Sequence, residues 1–389
     1  MGVYANTVSI TQFAITGELP KADLFQWFST KLSERGFQSI ENSTEEIAEG
    51  WTLVDKPDDA SFEVASEFWR DNYIVFSLRR DQRKIPAAVL KSHTGREEGI
   101  YLSQNPNLRR TPKHKREEIK EQVQTRLLTR CLPVPSNVDV VWDQKSGVLT
   151  LYSLGTKVIE RFEDIFRKTF EGFSPVIIHP FARAQKLLTG DLLNSLNAAN
   201  QAGSDAVVSL IRDNQWLGWE FLLWLLQRGV NGEGEFSVCC PGHLSEDEKF
   251  SAWIDDKIQF QGGGEEGGIQ KVTVSGSQDS YLEAISALKG GKRITSATIC
   301  MEKDENPWKL TLKGDTFGFA AFKCPQVRVE KDSTVDQMSE REAVFYERMF
   351  LMEQGLQLFD SLFTTFLSER LTEAWGGRQR VIQSWLDGE

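Results

Sequence analysis

Residues 339–375 limit how this chain can fold more than any other part of its sequence. Their apolar side chains recur at intervals of three and four residues and would cover more than half of a helix's circumference. They are Phe345, Met349, Met352, Leu356, Phe359, Leu362, Phe363 and Phe366. A helix this apolar must be covered on several sides. We therefore predict a long C-terminal helix that packs inside its own domain or against another subunit.

Strand and helix patterns alternate over the first half of the chain. Period-two apolar runs predict strands, and Asn, Asp or Gly between two such runs predicts a hairpin turn. The predicted strands are 8–15, 61–70, 73–80, 138–142, 148–152 and 175–178, and the predicted helices are 21–35, 111–130 and 156–170, with Thr111 capping the second helix. Between residues 85 and 106 we predict a short apolar patch followed by a loop.

The second half combines helices with shorter strands. Helices are predicted between residues 181 and 227, and the apolar run 216–226 is too short for the about 20 residues that a membrane span needs, so we predict a core helix. Strands are predicted at 294–301, 308–313 and 316–323, and the glycine-rich segment 261–268 is predicted to be a flexible tip or a linker. We divide these mixed strands and helices into three regions, 1–180, 181–335 and 336–389.

The formal charge of −11 conceals a strongly basic segment. Residues 76–131 carry 14 Lys and Arg against 6 Asp and Glu, a local charge of +8. An acidic average argues against a polyanion partner, whereas a clustered basic surface favours one. This segment is the strongest functional signal in the sequence.

The basic residues of this segment are regularly spaced. Four of them would form one helical stripe about 16 Å long, at about 1.5 Å per residue: Arg109, Lys113, Arg116 and Lys120. A duplex presents successive phosphates on this scale. In the alternative interpretation the helix is merely solvated, with Glu117, Glu118 and Glu121 as internal partners. The predicted DNA-binding residues are Arg79, Arg80, Arg83, Lys84, Arg109, Arg110, Lys113, Lys115, Arg116, Lys120 and Arg130.

Motifs that would indicate an enzyme are absent from the sequence, among them GxxxxGK[ST], GxSxG and HExxH. Segment 239–243 has two cysteines and a histidine but lacks a fourth zinc ligand, so we predict no metal and no cofactor. The sparse cysteines favour a reducing, cytoplasmic setting. A metal-dependent deoxyribonuclease using Asp255 and Lys257, with Asp58 and Asp59 as further carboxylates, stays open as an alternative.

Several blocks in the first 180 residues have the order and spacing of a known family. They are Gly50-Trp51, the run Arg83-Lys84-Ile85-Pro86-Ala87-Ala88-Val89-Leu90-Lys91, the charged helix 113–122 leading into Leu127-Leu128-Thr129-Arg130, and Val140-Val141-Trp142-Asp143 with Gly147-Val148-Leu149. With these blocks the chain resembles the recombination-associated protein RdgC family. The resemblance is weaker beyond residue 180, in Gly290-Gly291-Lys292 and the long C-terminal helix ending at Gly376-Gly377.

The resemblance implies an α+β protein that forms a ring-shaped homodimer, encloses double-stranded DNA in a positively lined channel and restrains the strand-exchange recombinase by competing for DNA. It implies no established catalytic centre. Two features depart from the family. Cys131-Leu132 stands where relatives can present an aromatic finger to the duplex, and Lys271 is the only cation between Ile258 and Leu288.

We interpret the chain as a non-enzymatic, sequence-nonspecific DNA-binding protein of RdgC type, dimeric, cytoplasmic and associated with the nucleoid, with no membrane partner. Two alternatives remain: the deoxyribonuclease, and a structural or interaction module that does not bind DNA.

Overall fold

The computed structural model describes residues 2–43, 45–263, 268–276, 281–327 and 337–388. Its strands are β1 (Thr7–Thr16), β2 (Ile47–Thr52), β3 (Trp69–Arg70), β4 (Tyr73–Arg83), β5 (Pro133–Asp143), β6 (Val148–Leu151), β7 (Ser174–Ile177), β8 (Glu235–Ser237), β9 (Lys249–Gly263), β10 (Ile269–Ser275), β11 (Arg293–Lys303), β12 (Asn306–Lys313) and β13 (Gly318–Lys323). Its helices are α1 (Leu24–Glu34), α2 (Ala65–Phe68), α3 (Ala87–Gln104), α4 (Lys113–Leu128), α5 (Thr156–Thr169), α6 (Pro180–Leu187), α7 (Gly190–Ala198), α8 (Val207–Asp213), α9 (Trp216–Val230), α10 (Leu282–Lys289), α11 (Gln337–Arg370) and α12 (Ala374–Asp387). The mixture of strands and helices confirms the predicted α+β class.

The chain forms two compact units. The larger unit contains Met1–Thr16, Ser146–Glu163 and Ser174–Glu389, and the smaller unit contains Gly17–Lys145 and Asp164–Phe173. The larger unit is built on an antiparallel sheet in the order β10-β9-β11-β12-β13-β1-β6, with β7 beside β1 and β8 beside β9.

The apolar C-terminal helix is covered by its own unit. Phe359 of α11 is fully buried, with its ring centroid 5.0 Å from that of Phe319 and 5.8 Å from that of Phe221 of α9. Phe363 is also fully buried and lies 4.9 Å from Phe317. Of the two predicted ways to cover this helix, packing within its own domain therefore accounts for these side chains.

The C-terminal helix ends earlier than predicted. α11 stops at Arg370, and the chain turns before α12 begins at Ala374. The turn places Trp375 against Phe366, with ring centroids 5.9 Å apart, and buries the indole. Burial of this large apolar surface favours the reversal over a continuous helix.

The apolar run after Trp216 forms the predicted core helix. Leu217, Phe221 and Leu225 of α9 are fully buried. Gly218 is required there, because a Cβ atom at this position would lie 1.7 Å from the carbonyl oxygen of Gly314. Within the described residues, no helix has the length and apolar character needed to cross a membrane.

The smaller unit has an antiparallel sheet in the order β2-β4-β5, with β3 beside the start of β4. Trp51 is fully buried in its core and donates a hydrogen bond of 2.8 Å from Nε1 to the Thr169 hydroxyl. Gly50 allows the backbone at Phe37 to approach, since a Cβ atom on Gly50 would lie 2.4 Å from the Phe37 Cα. The Gly50-Trp51 block is therefore explained by packing.

The predicted strand over residues 61–70 is largely wrong. Residues 61–64 are irregular, α2 follows, and only β3 is extended. Phe62 adopts a left-handed backbone, at a φ of 50°, and packs its ring 5.6 Å from that of Phe68. Both rings are fully buried, so their contact outweighs the strand pattern. The predicted turn after β3 is correct, with Asp71 at a φ of 52°.

The predicted loop between residues 85 and 106 is also wrong, because α3 occupies most of it. No residue of α3 is fully buried, and Gly95 and Gly99 interrupt its pattern. The helix is stabilised by packing on α4 rather than by its own periodicity. The predicted cap of α4 is absent too, since the helix starts after Pro112 without a side-chain capping bond.

Candidate nucleic-acid interface

Helices α3 and α4 form an antiparallel hairpin, inserted between β4 and β5, which we call the basic hairpin. It has a small core of its own, in which Leu90 and Tyr101 pack against Ile119, Val123 and Leu127 of α4. The two strands that carry it pair without interruption from Tyr73 opposite Asp143 to Arg83 opposite Pro133. The sheet therefore holds both ends of the hairpin.

Arg83 fastens the base of the basic hairpin from inside the protein. Its side chain is 4% exposed and, among the residues that the structure describes, donates only to backbone carbonyl oxygens. These belong to Ile40 (2.7 Å), Glu41 (3.1 Å), Ser43 (3.2 Å), Glu45 (3.2 Å), Leu128 (3.4 Å) and Cys131. Two acceptors lie at the end of α4 and four lie in the segment before β2, so this guanidinium joins the hairpin to the sheet.

Arg79 and Arg80 are neutralised by neighbouring carboxylates. Arg79 is buried and donates to both oxygens of Asp81, at 2.8 and 3.0 Å, and to Asp58. Hydrogen bonds that Arg79 donates to Asp81, joined by Asp58, raise the pKa of Arg79 despite its burial. Arg80 pairs with Glu49. Arg79 and Arg83, predicted as DNA-binding residues, therefore have internal partners for their guanidinium groups.

Six other predicted residues are exposed and have no ion pair or side-chain hydrogen bond within the described part of the chain: Lys84, Arg109, Arg110, Lys113, Lys120 and Arg130. Arg109 and Arg110 lie before α4, so the predicted stripe is shorter on the helix than its spacing suggested. Lys91 and Arg96 on α3 share this exposed, unpaired state and were missed. The charge of segment 76–131 was the signal that could have included them.

The remaining cations of the hairpin form exposed ion pairs. Lys115 lies 2.8 Å from Glu118, where its hydrogen bond lowers the pKa of that carboxyl. Arg116 lies 3.1 Å from Glu98 of α3. Exposed pairs of this kind contribute about 0 to 1 kcal/mol, so they leave both cations available to a stronger anion.

The cations of α4 occupy two different sides of the helix. At about 100° per residue, Lys113 and Lys120 point within about 20° of each other, whereas Lys113 and Arg126 point about 140° apart. Arg126 pairs with Glu97 of α3 at 2.8 Å. Exposed Glu117 and Glu121 lie between the two cationic sides, on the side of α4 that faces solvent, which we call its outer edge. The structure thus brings Lys113 and Lys120 together and separates them from Arg126.

Three carboxylates of the alternative nuclease hypothesis, those of Asp255, Asp58 and Asp59, are also engaged in contacts. Asp255 accepts a hydrogen bond from Lys309 at 3.3 Å. Asp58 pairs with Arg79, and hydrogen bonds from Ser61 lower the pKa of Asp59. Within the described residues, no three His, Cys, Asp or Glu side chains are grouped so that they could hold a metal ion.

Two departures from the family pattern have different surroundings. Leu132, of the Cys131-Leu132 pair, is 80% exposed just after the hairpin. Lys271 is exposed on β10. Residues 264–267 of the predicted glycine-rich tip lie outside the described residues.

Comparison with known proteins agrees with the blocks seen in the sequence. A family model described as "Putative exonuclease, RdgC" matches residues 10–212, just over half of the chain. Proteins named "Recombination-associated protein RdgC" from Neisseria meningitidis (strain FAM18) and Neisseria gonorrhoeae (strain FA 1090) are each 24% identical to it over 176 residues, which cover 45% of this chain and 55% of the relative. The match thus spans about half the length of these curated relatives. Residues 10–212, which the family model matches, include the whole basic hairpin.

Proposed function

The chain belongs to the RdgC family, and from this premise we propose that it binds double-stranded DNA without sequence preference and acts in homologous recombination. The name of the curated relatives, recombination-associated protein, supports the role in recombination. The basic hairpin supports the binding of DNA.

One observation carries the proposal: Lys113 and Lys120 stand on the same side of α4, exposed and without an internal partner. They are seven residues apart, or about 10 Å along the helix. Arg109 and Arg110 add two exposed cations at the hairpin tip. Of the four residues of the predicted stripe, we keep the name stripe from here on for Lys113 and Lys120 alone. Contacts from such cations to phosphates position a duplex but do not read its bases, which favours nonspecific binding.

We extend the proposal to assembly and regulation. A ring-shaped homodimer would place basic hairpins around one duplex, and a protein that covers DNA competes with the strand-exchange recombinase for it. The family resemblance supports both statements. An acidic exterior with a locally basic surface is consistent with a protein of formal charge −11 that binds a polyanion.

The family description names an exonuclease, so hydrolysis is the competing function. Incubation of linear DNA with the protein and Mg²⁺ or Mn²⁺ separates the two functions. A nuclease shortens the DNA, and shortening that is lost in Asp255→Asn would favour the alternative. Intact DNA that is retained by the protein supports the binding function.

The stripe is tested by replacing Lys113 and Lys120 with Ala. Each lost phosphate contact reduces the slope of log K against log salt by about 0.9, so the double variant should reduce it by about 1.8. Binding should weaken about equally for duplexes of unrelated sequence. Fluorescence anisotropy at several salt concentrations measures both quantities.

The matched control replaces Lys21 and Lys157 with Ala; both are exposed lysines outside the hairpin. It removes the same charge, so it corrects for the change in overall field. An equal loss of affinity and slope in the two double variants would mean that the stripe is not a DNA contact.

A further inference from the structure

A second cationic site lies on the other side of the basic hairpin. It is an open cavity of about 260 Å³ between α3 and α4, which we call the groove. Three guanidinium groups and an imidazole line it, together with one carboxylate and two apolar side chains: Arg96, Arg126, Arg130, His93, Glu97, Ile100 and Leu127. Arg96 was not among the predicted site residues, because α3 was not recognised as a helix.

The charges of the groove suit a phosphate group. Arg126 is paired with Glu97 at 2.8 Å, whereas Arg96 and Arg130 have no partner within the described residues. Three guanidinium groups against one carboxylate leave a charge of +2 around the cavity. Guanidinium forks match phosphate oxygens in geometry as well as in charge. A phosphate in the groove would offset the repulsion among these cations.

The groove and the stripe do not face the same way. Arg126 points about 140° from Lys113 around α4 and lies about 20 Å from it along the helix axis. Arg96 belongs to the neighbouring helix, so the groove is about one helix radius or more beyond the axis of α4. A duplex whose phosphates contact Lys113 and Lys120 therefore approaches α4 from a direction about 140° away from that of Arg126.

The edge between the two sites opposes a single duplex that bends around α4. Glu117 and Glu121 are exposed there and lie within about 40° of each other around the helix. A phosphate backbone crossing this edge would meet two carboxylates at close range, which is unfavourable. The two cationic sites are thus separated electrostatically as well as by distance.

We propose that the groove holds backbone phosphates of a second DNA segment, so that one basic hairpin bridges two duplexes. This inference rests on the proposed function, because the stripe must hold the first duplex. Bridging would give a recombination protein a means to keep two duplexes side by side.

A capture assay tests the proposal. A biotinylated duplex on beads is incubated with the full chain and then with a second, fluorescent duplex, and the fluorescence retained on the beads is measured. The groove variant carries Arg96→Ala and Arg130→Ala. At about 0.1 M salt each phosphate contact is worth roughly eightfold in affinity, so loss of two contacts should reduce capture of the second duplex by roughly sixtyfold. Binding to one duplex, measured by anisotropy, should fall by no more than about twofold, since only one of two sites is lost.

The outcomes distinguish this inference from the proposed function. If the unmodified chain does not bind the duplex on the beads, the proposed function fails. If the unmodified chain binds that duplex but captures no second one, bridging by the groove is wrong. Bridging by the groove is also wrong if the groove variant captures the second duplex as well as the unmodified chain does, a result that would assign bridging to dimers. If the groove variant reduces the salt slope for a single duplex by about 1.8, both sites contact one duplex and the inference is also overturned.

Discussion

Replacing Arg83 with Met separates a structural role for this guanidinium from the DNA contact that its sequence position predicts. Methionine keeps much of the aliphatic stem but removes every donor. The bond to the Ile40 oxygen is buried, and an unpaired buried carbonyl costs about 1 to 3 kcal/mol. The other five acceptors are partly exposed, so water replaces much of what they lose.

We expect the Arg83→Met variant to lose about 3 kcal/mol of stability, against a typical total of about 5 to 15 kcal/mol. With a urea dependence of about 2 kcal/mol per molar, the midpoint of the transition that includes the smaller unit should fall by about 1.5 M. Tryptophan fluorescence reports this transition, because Trp51 and Trp142 are buried in that unit.

Lys84→Met is the matched control, since Lys84 is the next residue, is exposed and has no partner within the described residues. Its urea midpoint should not change. For Arg83→Met, the salt slope of DNA binding by the folded protein should stay the same. An unchanged midpoint together with a slope reduced by about 0.9 would make Arg83 a phosphate contact and refute the structural assignment.

Three further predictions concern the larger unit and the assembly. Phe363→Asp should destabilise the larger unit by several kcal/mol, because the Phe363 ring is fully buried. The control Phe350→Asp, on the same helix but at a side chain that is 40% exposed, should have little effect. Equal melting temperatures for the two variants would contradict the packing described. Burial lowers the pKa of His179 to about 4, so the unfolded state binds more protons between about pH 6.5 and pH 4 and stability should fall as the pH is lowered through this range. His179→Asn, which keeps an acceptor for the Ala182 amide, should remove this part of the pH dependence of the urea midpoint; an unchanged dependence would exclude His179 as its source. A closed ring should resist salt better on covalently closed circles than on short linear DNA, from whose ends it slides, and equal retention would favour an open surface.

Elements whose patterns are strong and local could be predicted without the structure. The alternation in β1 and the three- and four-residue spacing in α9 and α11 were sufficient to predict their type, because each buries a face that its own periodicity defines. Charge counting along the chain also located the basic segment 76–131, since charge density is a property of composition.

Packing between distant segments determines which arginines are internal and which face solvent. Arg79 and Arg83 belong to the same basic run as Lys84. Yet Asp58, which joins Asp81 in accepting from Arg79, and the Ile40 carbonyl, which accepts from Arg83, each lie more than twenty residues earlier in the chain. Likewise α3 has too weak a pattern to be predicted as a helix, and its contacts with α4 stabilise it. Spacing along one helix predicts which cations align, but only the packing of a second helix creates a groove between them.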